Sequence, residues 1–248
     1  MNGPASRPDL DDDDLFAPGR VSQLFDAMAA SYDRVNVVTS FGFSRRWRRQ
    51  AVSRLDIGAG STVLDAMTGA GEGWPYLADR IGNGGRIVAI DLSPGMLALA
   101  RRRTVKSTLD VRLGDVLTTG LPDGSCDAVL SLFGIKTLSP AQRAAFATEI
   151  ARVLRPGGCF SMVEVSVPGA PALRIAYGFY LRRVIPVLGR LLLGDPATYR
   201  MLGVYTDRFG DARAMTGAMR VAGLEAEFVS YFFGCATGLV GRKKVSGP

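Results

Sequence analysis

The sequence contains no histidine among its 248 residues. This absence excludes a serine–histidine–aspartate triad, a histidine general base and any metal site that depends on histidine ligands. Proton transfer must instead use carboxylates, tyrosine, lysine, cysteine or water. Many classes of hydrolase are therefore excluded by a single count.

Cysteine is scarce as well, since only Cys126, Cys159 and Cys235 occur, at spacings that match no paired motif. Neither a disulfide framework nor a zinc site is predicted, and isolated thiols are typical of a reducing cytoplasm. No apolar run approaches the ~20 residues that cross a bilayer. The N-terminus also lacks the basic and then apolar order of a signal peptide. We therefore expect a cytoplasmic protein.

Negative charge is concentrated at one end of the chain. Residues 1–19 hold one arginine against five aspartates, a net charge of −4, which leaves +11 on the rest of a chain whose total is +7. A basic body can attract nucleic acid, anionic lipid or an anionic metabolite. However, 26 of the 30 cations are arginine, and we expect most of these cations to be ordinary solvated surface charge.

Apolar runs alternate with helical stretches through most of the chain. Helical spacing predicts helices at 75–81, 93–103, 140–154 and 211–222, and short apolar runs predict strands at 63–65, 86–91, 109–113, 126–132, 159–165, 224–233 and 236–241. This order predicts an α/β fold with a Rossmann-like, doubly wound sheet of seven strands. The sheet should be mostly parallel, with its last strand antiparallel.

Three segments fall outside this alternation. Residues 1–18, rich in Asp, Pro and Gly, are predicted to form a disordered acidic leader before a single domain at 19–248. Helical spacing from residue 21 and over 45–55 predicts N-terminal helices. Residues at about 168–210 are helical and too long for a simple connection, so they predict a helical cap inserted after the fifth strand.

The loop after the first predicted strand has the sequence Asp65-Ala-Met-Thr-Gly69-Ala-Gly71-Glu-Gly73. Glycines there allow a tight turn and the close approach of a ligand, although any strand-to-helix turn can use them. Asp91 ends the second strand, where a carboxylate can accept both ribose hydroxyls of a nucleoside. Asp115 follows the third strand and could receive an adenine amino group. The alternative is that both acids only cap turns.

The charge of this loop bears on the nucleoside. The spacing is G-x-G-x-G rather than the G-x-G-x-x-G of NAD-binding proteins, and Glu72 stands where a diphosphate would lie. Together with Asp65 it should repel a diphosphate and tolerate a cationic sulfonium. The pattern therefore favours S-adenosyl-L-methionine over NAD.

These residues resemble class I S-adenosylmethionine-dependent methyltransferases and, more narrowly, the ubiquinone/menaquinone-biosynthesis C-methyltransferase family. The resemblance runs from about Val21 to Lys243. It rests on Asp65-x-x-x-Gly69-x-Gly71, Asp91-Leu-Ser-Pro-Gly-Met96, Phe25-Asp-x-Met28-Ala-x-x-Tyr32-Asp33, Ser40-Phe-Gly42 with Trp47-Arg48, Phe133-Gly134, Glu164, Tyr177-x-Phe179-Tyr180, Pro186-x-Leu188-Gly189 and Asp195-x-x-x-Tyr199-Arg-x-Leu202.

The resemblance implies S-adenosyl-L-methionine as cofactor and a quinol or phenol type of acceptor. It implies cofactor contacts at Tyr32, Asp65, Gly69, Ala70, Gly71, Asp91, Leu92, Met96, Asp115, Val116 and Leu132. Two departures stand out: Ala70 replaces a threonine of the family, and Lys136-Thr137 replaces an Arg-Asn pair thought to act at the quinol ring. We therefore expect a divergent member with its own acceptor.

With no histidine, the candidate catalytic residues are Glu164, Lys136, Asp33 and Tyr177, and Tyr32 and Tyr199 are further candidate bases. Glu164 lies in an apolar run at the end of the fifth strand and could accept a proton; the alternative is a structural salt bridge to an arginine of the cap. Lys136 could stabilise a phenolate or be an exposed lysine at a helix start. Tyr32 and Asp33 could close a lid or only end a helix.

The expected activity is methylation of a small lipophilic aromatic acceptor at carbon or oxygen. The alternatives are transfer of a group other than methyl to a quinone and a non-catalytic protein that binds the cofactor. The Arg45–Arg49 cluster could contact a membrane surface that delivers the substrate, or form a solvated helix face. No nucleic-acid partner is expected, and the oligomeric state, with a homodimer as one option, stays open.

Overall fold

The computed structural model describes residues 12–29, 42–184, 187 and 196–245. At its centre lies one sheet of seven strands in the order β3-β2-β1-β4-β5-β7-β6. The strands are β1 (Thr62–Ala66), β2 (Arg86–Asp91), β3 (Thr108–Leu113), β4 (Cys126–Leu132), β5 (Leu154–Val165), β6 (Leu224–Tyr231) and β7 (Ala236–Lys243).

Strands β1 to β5 pair in parallel, whereas β7 runs antiparallel to both of its neighbours, β5 and β6. The predicted Rossmann-like, doubly wound sheet with an antiparallel last strand is therefore confirmed. Strand β1 lies between β2 and β4, so the connections on its two sides lead in opposite directions. At such a switch point the loops after the strands diverge and leave a crevice beyond the carboxyl edge of the sheet.

Helices cover both faces of the sheet. One face packs against the cluster that holds Trp47, Trp74 and Leu77, and the other against the cluster that holds Phe146 and Met215. The helices are α1 (Asp12–Leu15), α2 (Pro18–Met28), α3 (Phe43–Ser53), α4 (Trp74–Ile81), α5 (Pro94–Ala100), α6 (Pro140–Val153), α7 (Pro171–Phe179), α8 (Pro196–Phe209) and α9 (Arg213–Val221).

Two helices are capped at their N-termini by serine side chains. Ser93 accepts a hydrogen bond from the backbone N–H of Met96, with Pro94 in the first helical turn, as the sequence predicts. Ser139 and Gln142 form a reciprocal capping box at the start of α6. Both caps satisfy N–H groups that a helix leaves unpaired at its N-terminus.

The expectation of a disordered leader over residues 1–18 is wrong for its last seven residues. Helix α1 begins at Asp12, and the side chains of Leu15 and Phe16 are buried. The hydroxyl of Tyr205, in α8, donates a 2.6 Å hydrogen bond to the carbonyl of Leu15. Residues 12–18 are therefore part of the folded domain, while residues 1–11 lie outside the described residues.

The segment predicted to form the cap contains α7, a π-helical turn at Tyr180–Val184 and α8. Side chains of α8 pack against α1 and α2 in a cluster around Tyr205. Strand β5 begins at Leu154 and not at the predicted Cys159. Leu154 already pairs with Cys126 of β4, and residues 155–158 form a bulge before the regular pairing resumes at Cys159. Over the described residues, none of the helices is both long and apolar enough to span a membrane.

Candidate functional site

A cavity opens beyond the carboxyl edge of the sheet, at the switch point beside β1. Its walls come from the loops after β1 to β4 and from the segment around α1 and α2. The lining residues are Phe16, Pro18, Val21, Phe25, Met67, Thr68, Gly69, Glu72, Asp91, Leu92, Asp115, Val116, Leu117, Leu132, Phe133, Gly134, Thr137, Leu138 and Gln142.

The loop after β1 turns through two glycines with left-handed backbone angles. Gly69 has φ +56°, and a Cβ there would meet nothing closer than Glu72 Oε2 at 3.8 Å. Gly71 has φ +72°, and a Cβ there would lie 2.8 Å from the ring of Trp74. Gly69 therefore faces the cavity, whereas Gly71 is required by the packing of Trp74 beneath the loop.

Asp65 lies under this loop and is buried. Its Oδ2 accepts hydrogen bonds from the hydroxyl of Thr68 and, at 3.0 Å, from the indole N–H of Trp74. Its Oδ1 is buried with no hydrogen-bond partner among the described residues. Burial raises the pKa of Asp65 to about 7, although the bonds from Thr68 and Trp74 act in the opposite direction. Asp65 thus supports the loop and does not line the cavity.

Asp91 ends β2 and lines the cavity. Its Oδ2 accepts a 2.7 Å hydrogen bond from the N–H of Gly69, and its Oδ1 accepts a 2.9 Å bond from the N–H of Ser93. Burial raises the pKa of Asp91, and these backbone bonds oppose the rise. Each oxygen keeps capacity for a further donor, because a carboxylate oxygen can accept two hydrogen bonds.

Helix α2 is attached to this part of the site through Asp26. Its Oδ1 accepts hydrogen bonds from the hydroxyl of Ser93 at 2.5 Å and from the N–H of Gly95 at 2.8 Å. The sequence alone indicates no role for Asp26. Its position in the family motif was visible, but its partners stand 67 and 69 residues later, so no local pattern indicated them.

The cavity brings together six of the predicted cofactor residues: Gly69, Asp91, Leu92, Asp115, Val116 and Leu132. Asp115 holds its own turn, since its Oδ1 accepts a 2.9 Å bond from the N–H of Leu117. Ala70 and Met96 are buried together with Met28 and do not line the cavity. Tyr32 and Asp33 lie outside the described residues.

The charge assigned to the loop needs a correction at Glu72. The guanidinium of Arg48 lies 3.0 Å from the Glu72 carboxylate, and the Arg48 side chain is buried. The same guanidinium carbon lies 5.1 Å from the ring centre of Phe133. The predicted repulsion of a diphosphate by Glu72 and Asp65 is therefore wrong as stated, because Glu72 is paired with Arg48 and Asp65 is buried under the loop.

Lys136 and Glu164 form a buried ion pair with each other. The ammonium of Lys136 lies 2.7 Å from Glu164 Oε1 and also donates a 3.1 Å bond to the carbonyl of Phe133. Backbone N–H groups of Lys136 and Val165 complete the partners of the carboxylate. The salt bridge considered for Glu164 exists, but its partner is Lys136 and not an arginine of the cap, and Lys136 is not exposed.

Tyr177, in α7, is half-buried beside this pair. Its hydroxyl donates a 3.4 Å hydrogen bond to the carbonyl of Cys235, and its ring stacks on that of Tyr180. Burial raises the pKa of the Tyr177 hydroxyl, and the negative charge of Glu164 adds to the rise. Tyr177 is therefore a hydrogen-bond donor at neutral pH and not a base. The side chain of Tyr199 lies outside the described part of the chain.

The cavity combines carboxylates with apolar walls. Asp91, Asp115 and Glu72 line it, and its described wall contains no lysine or arginine. Because Glu72 is paired with Arg48, Asp91 and Asp115 are the carboxylates of this lining that favour a ligand with positive charge or hydrogen-bond donors. In the described ranges, no group of three or more Cys, Asp or Glu side chains is arranged to hold a metal ion.

Comparison with known proteins identifies the family of the chain. The sequence model of the ubiE/COQ5 methyltransferase family matches residues 15–243. A demethylmenaquinone methyltransferase of Thermus thermophilus is 36% identical, covering 89% of this chain and all of the relative. A ubiquinone/menaquinone biosynthesis C-methyltransferase of Hydrogenovibrio crunogenus is 32% identical, covering 85% of this chain and 84% of the relative.

Among solved structures, the fold is similar to that of a SAM-dependent methyltransferase from Aquifex aeolicus. The TM-score is 0.54 and the sequence identity 19%, over 92% of this chain and 89% of the other. At this identity the likeness bears on the fold alone. The fold is therefore shared with a larger set of proteins than the family that the sequence matches.

Proposed function

Because this chain belongs to the ubiE/COQ5 methyltransferase family, we propose that it methylates a lipophilic aromatic acceptor of the quinone type at a ring carbon. The chain is an S-adenosyl-L-methionine-dependent methyltransferase. The relatives named above are methyltransferases of quinone biosynthesis by name. They favour methyl transfer over the two alternatives, transfer of another group and binding without catalysis.

The cavity residues fit the cofactor by their chemistry. Asp91 accepts backbone bonds from Gly69 and Ser93, and because a carboxylate oxygen can accept more than one donor, it suits the two hydroxyls of a ribose. Asp115 can accept from an adenine amino group, with Leu92 and Val116 as apolar walls. Gly69 allows a ligand to approach the loop closely, because it has no side chain and the space that a Cβ would enter is open. We assign the binding of the nucleoside end to these residues.

When bound, the cofactor supplies a methyl group on a sulfonium that needs no further activation. The tasks left to the protein are to align the acceptor, to exclude water and to control one proton. Apolar side chains such as Leu132 and Phe133 form the wall between the cavity and α3. This wall suits an aromatic acceptor and keeps water from the methyl group.

The buried pair controls charge at the acceptor in this proposal. A ring hydroxyl becomes more electron-donating when it loses its proton, and the neighbouring ring carbon then gains a methyl group and releases its own hydrogen as a proton. The Lys136 ammonium does not line the cavity but bonds the carbonyl of Phe133, which does, so its positive charge acts from behind this wall on negative charge at such an oxygen. Glu164 holds Lys136 in place, because its own oxygens are occupied by Lys136 and two backbone N–H groups.

The single observation that carries the proposal is the carboxylate-lined cavity at the switch point in a chain of this family. The test is incubation of the purified protein with methyl-labelled cofactor and a reduced, short-tailed demethylmenaquinone. Label should enter the organic extract, and nuclear magnetic resonance should place the new methyl on a ring carbon. A product labelled on oxygen, or no product with any quinol of this class, would overturn the proposed acceptor chemistry.

A further inference from the structure

The turn between β6 and β7 exposes two consecutive phenylalanines. Phe232 is 49% exposed and Phe233 is 79% exposed. Their φ angles are +41° and +56°, in the left-handed region that glycine and asparagine adopt most easily and that bulky side chains avoid. Two apolar side chains held in strained backbone at the surface indicate a functional demand rather than a folding one.

Helix α7, which is bonded to the end of this turn through Tyr177, exposes two further apolar side chains. Its Ile175 is 73% exposed and its Phe179 is 63% exposed, while Leu173 and Tyr177 pack inward on the core. The Tyr177 hydroxyl bonds the carbonyl of Cys235, which attaches α7 to the end of the β6–β7 turn. We call Ile175, Phe179, Phe232 and Phe233 the aromatic face.

Positive charge borders the aromatic face. The ring of Phe43, at the start of α3, lies 4.5 Å from that of Phe232. Arg45, Arg46 and Arg49 of the same helix are exposed, unlike Arg48, which is buried. The three segments that form this region, 43–54, 171–184 and 229–235, contain no aspartate or glutamate. These three segments therefore combine exposed aromatic and aliphatic side chains with arginines and contain no acidic side chain.

We propose that the aromatic face inserts into the interfacial layer of an anionic lipid bilayer, with Arg45, Arg46 and Arg49 against the headgroups. Aromatic side chains favour the boundary between headgroups and acyl chains, and arginines add attraction to anionic lipid. A protein partner matched to this region would need an acidic surface around an apolar centre, whereas a bilayer offers both over any area. The proposal goes beyond the reaction, because binding to lipid requires neither cofactor nor acceptor.

Sedimentation with vesicles tests the proposal. The full chain should bind vesicles of phosphatidylcholine and phosphatidylglycerol and bind phosphatidylcholine vesicles more weakly. Phe233→Asn should weaken binding about tenfold, because it removes one buried aromatic side chain from the interface. Asparagine tolerates the left-handed backbone, so thermal unfolding should be unchanged or shifted upward. This variant therefore separates loss of binding from loss of fold.

Val221→Asn is the matched control. Val221 is 90% exposed at the end of α9, a helix that packs on the opposite side of the sheet from α3. Its substitution should leave vesicle binding unchanged. The triple variant Arg45→Gln, Arg46→Gln, Arg49→Gln should lose the preference for phosphatidylglycerol, and salt should weaken wild-type binding.

Three results would overturn the proposal. The first is wild-type protein that fails to sediment with either kind of vesicle. The second is Phe233→Asn binding as tightly as wild type or as Val221→Asn. The third is light scattering that shows a dimer which Phe233→Asn dissociates, since a second copy of the chain would then cover the aromatic face. Methyl transfer to a short-tailed acceptor in solution is measured separately and does not affect these outcomes.

Discussion

The ammonium of Lys136 and the carboxylate of Glu164 lie 2.7 Å apart with both side chains buried. Lys136 follows β4 in a short helical turn and Glu164 lies near the end of β5. Adjacent parallel strands thus bring together two charges that stand 28 residues apart. In the proposed reaction Lys136 acts on the acceptor oxygen from behind Phe133, and Glu164 positions Lys136.

Removing one member of this pair should destabilise the fold strongly. Lys136→Met leaves the Glu164 carboxylate buried without its cation, which costs about 3 kcal/mol. The double variant Lys136→Met, Glu164→Gln should recover part of that loss, because no unpaired charge remains. Urea unfolding of the single and double variants measures both values.

An exposed pair provides the control for this prediction. Arg155 and Asp127 lie 2.6 Å apart with the arginine side chain exposed, so Arg155→Met should cost less than about 1 kcal/mol. Equal losses for Lys136→Met and Arg155→Met would contradict a buried pair.

Asp91→Asn should weaken binding of S-adenosyl-L-methionine at least tenfold, about 1.4 kcal/mol, because a charged acceptor is lost from the proposed ribose contact. Titration calorimetry measures the affinity. Asp110→Asn is the control. Asp110 lies on β3, pairs with Arg86 of β2 and Arg112 of β3, and does not line the cavity. An Asp91→Asn protein with wild-type affinity would show that the nucleoside lies elsewhere.

Asp65 should make stability fall as pH rises from about 4 to about 7. Its pKa is raised from 3.8 to about 7 by burial, so within this interval the folded state keeps a proton that the unfolded state has lost. The contribution of Asp65 to the unfolding free energy is therefore complete below about pH 4 and is lost as the pH rises toward about 7, the pKa in the folded state. The whole effect is roughly 4 kcal/mol at ~1.4 kcal/mol per pKa unit.

Asp65→Asn isolates this contribution, because other carboxyls titrate in both proteins. The pKa of Asp110 and that of Glu149 are both lowered to about 2, by hydrogen bonds from Arg112 and Arg152 respectively, and these groups act in the opposite direction. The difference in unfolding free energy between variant and wild type should grow with pH over the interval. A difference independent of pH would show that Asp65 ionises as freely in the fold as outside it.

The two glycines of the loop should respond differently to alanine. Gly71→Ala places a Cβ 2.8 Å from the Trp74 ring at a left-handed φ, so unfolding free energy should fall by about 2 kcal/mol or more. Gly69→Ala meets no such contact and should lose about 1 kcal/mol through backbone strain. Its larger effect should be on cofactor affinity, because Gly69 lines the cavity.

Chemical denaturation and titration calorimetry on the same two proteins separate these effects. The prediction fails when Gly69→Ala is the less stable protein or when Gly71→Ala folds as well as wild type.

Much of the architecture was predictable, and the errors have a common origin. Strands β2 and β4 begin and end where the apolar runs do, and the Ser93-Pro94 start of α5 follows from local capping preferences. The burial of Leu15 and Phe16 was not visible, because an aspartate run precedes them and their partner, Tyr205, is 190 residues from Leu15. Local composition cannot report such a contact.

The candidate site also has features that the sequence predicted and features that it did not. The acids after successive strands indicated one edge of the sheet, because parallel strands end on the same side. The resemblance set Trp47-Arg48 apart from the other arginines, but nothing in the sequence indicated that Arg48 pairs with Glu72 and lies over Phe133. The same limit applied to Glu164, whose partner was sought among the arginines of the cap and is Lys136.

The sequence by itself therefore determined the order of strands and helices, the glycine loop and the edge where the acids gather, because each follows from preferences of neighbouring residues and from the rules of parallel sheets. Tertiary structure alone decided how charges are paired, Arg48 with Glu72 and Lys136 with Glu164, and that Ser93 donates a hydrogen bond to Asp26. It also decided which apolar side chains stay at the surface. Pairing and exposure depend on distances across the fold, which no local pattern contains.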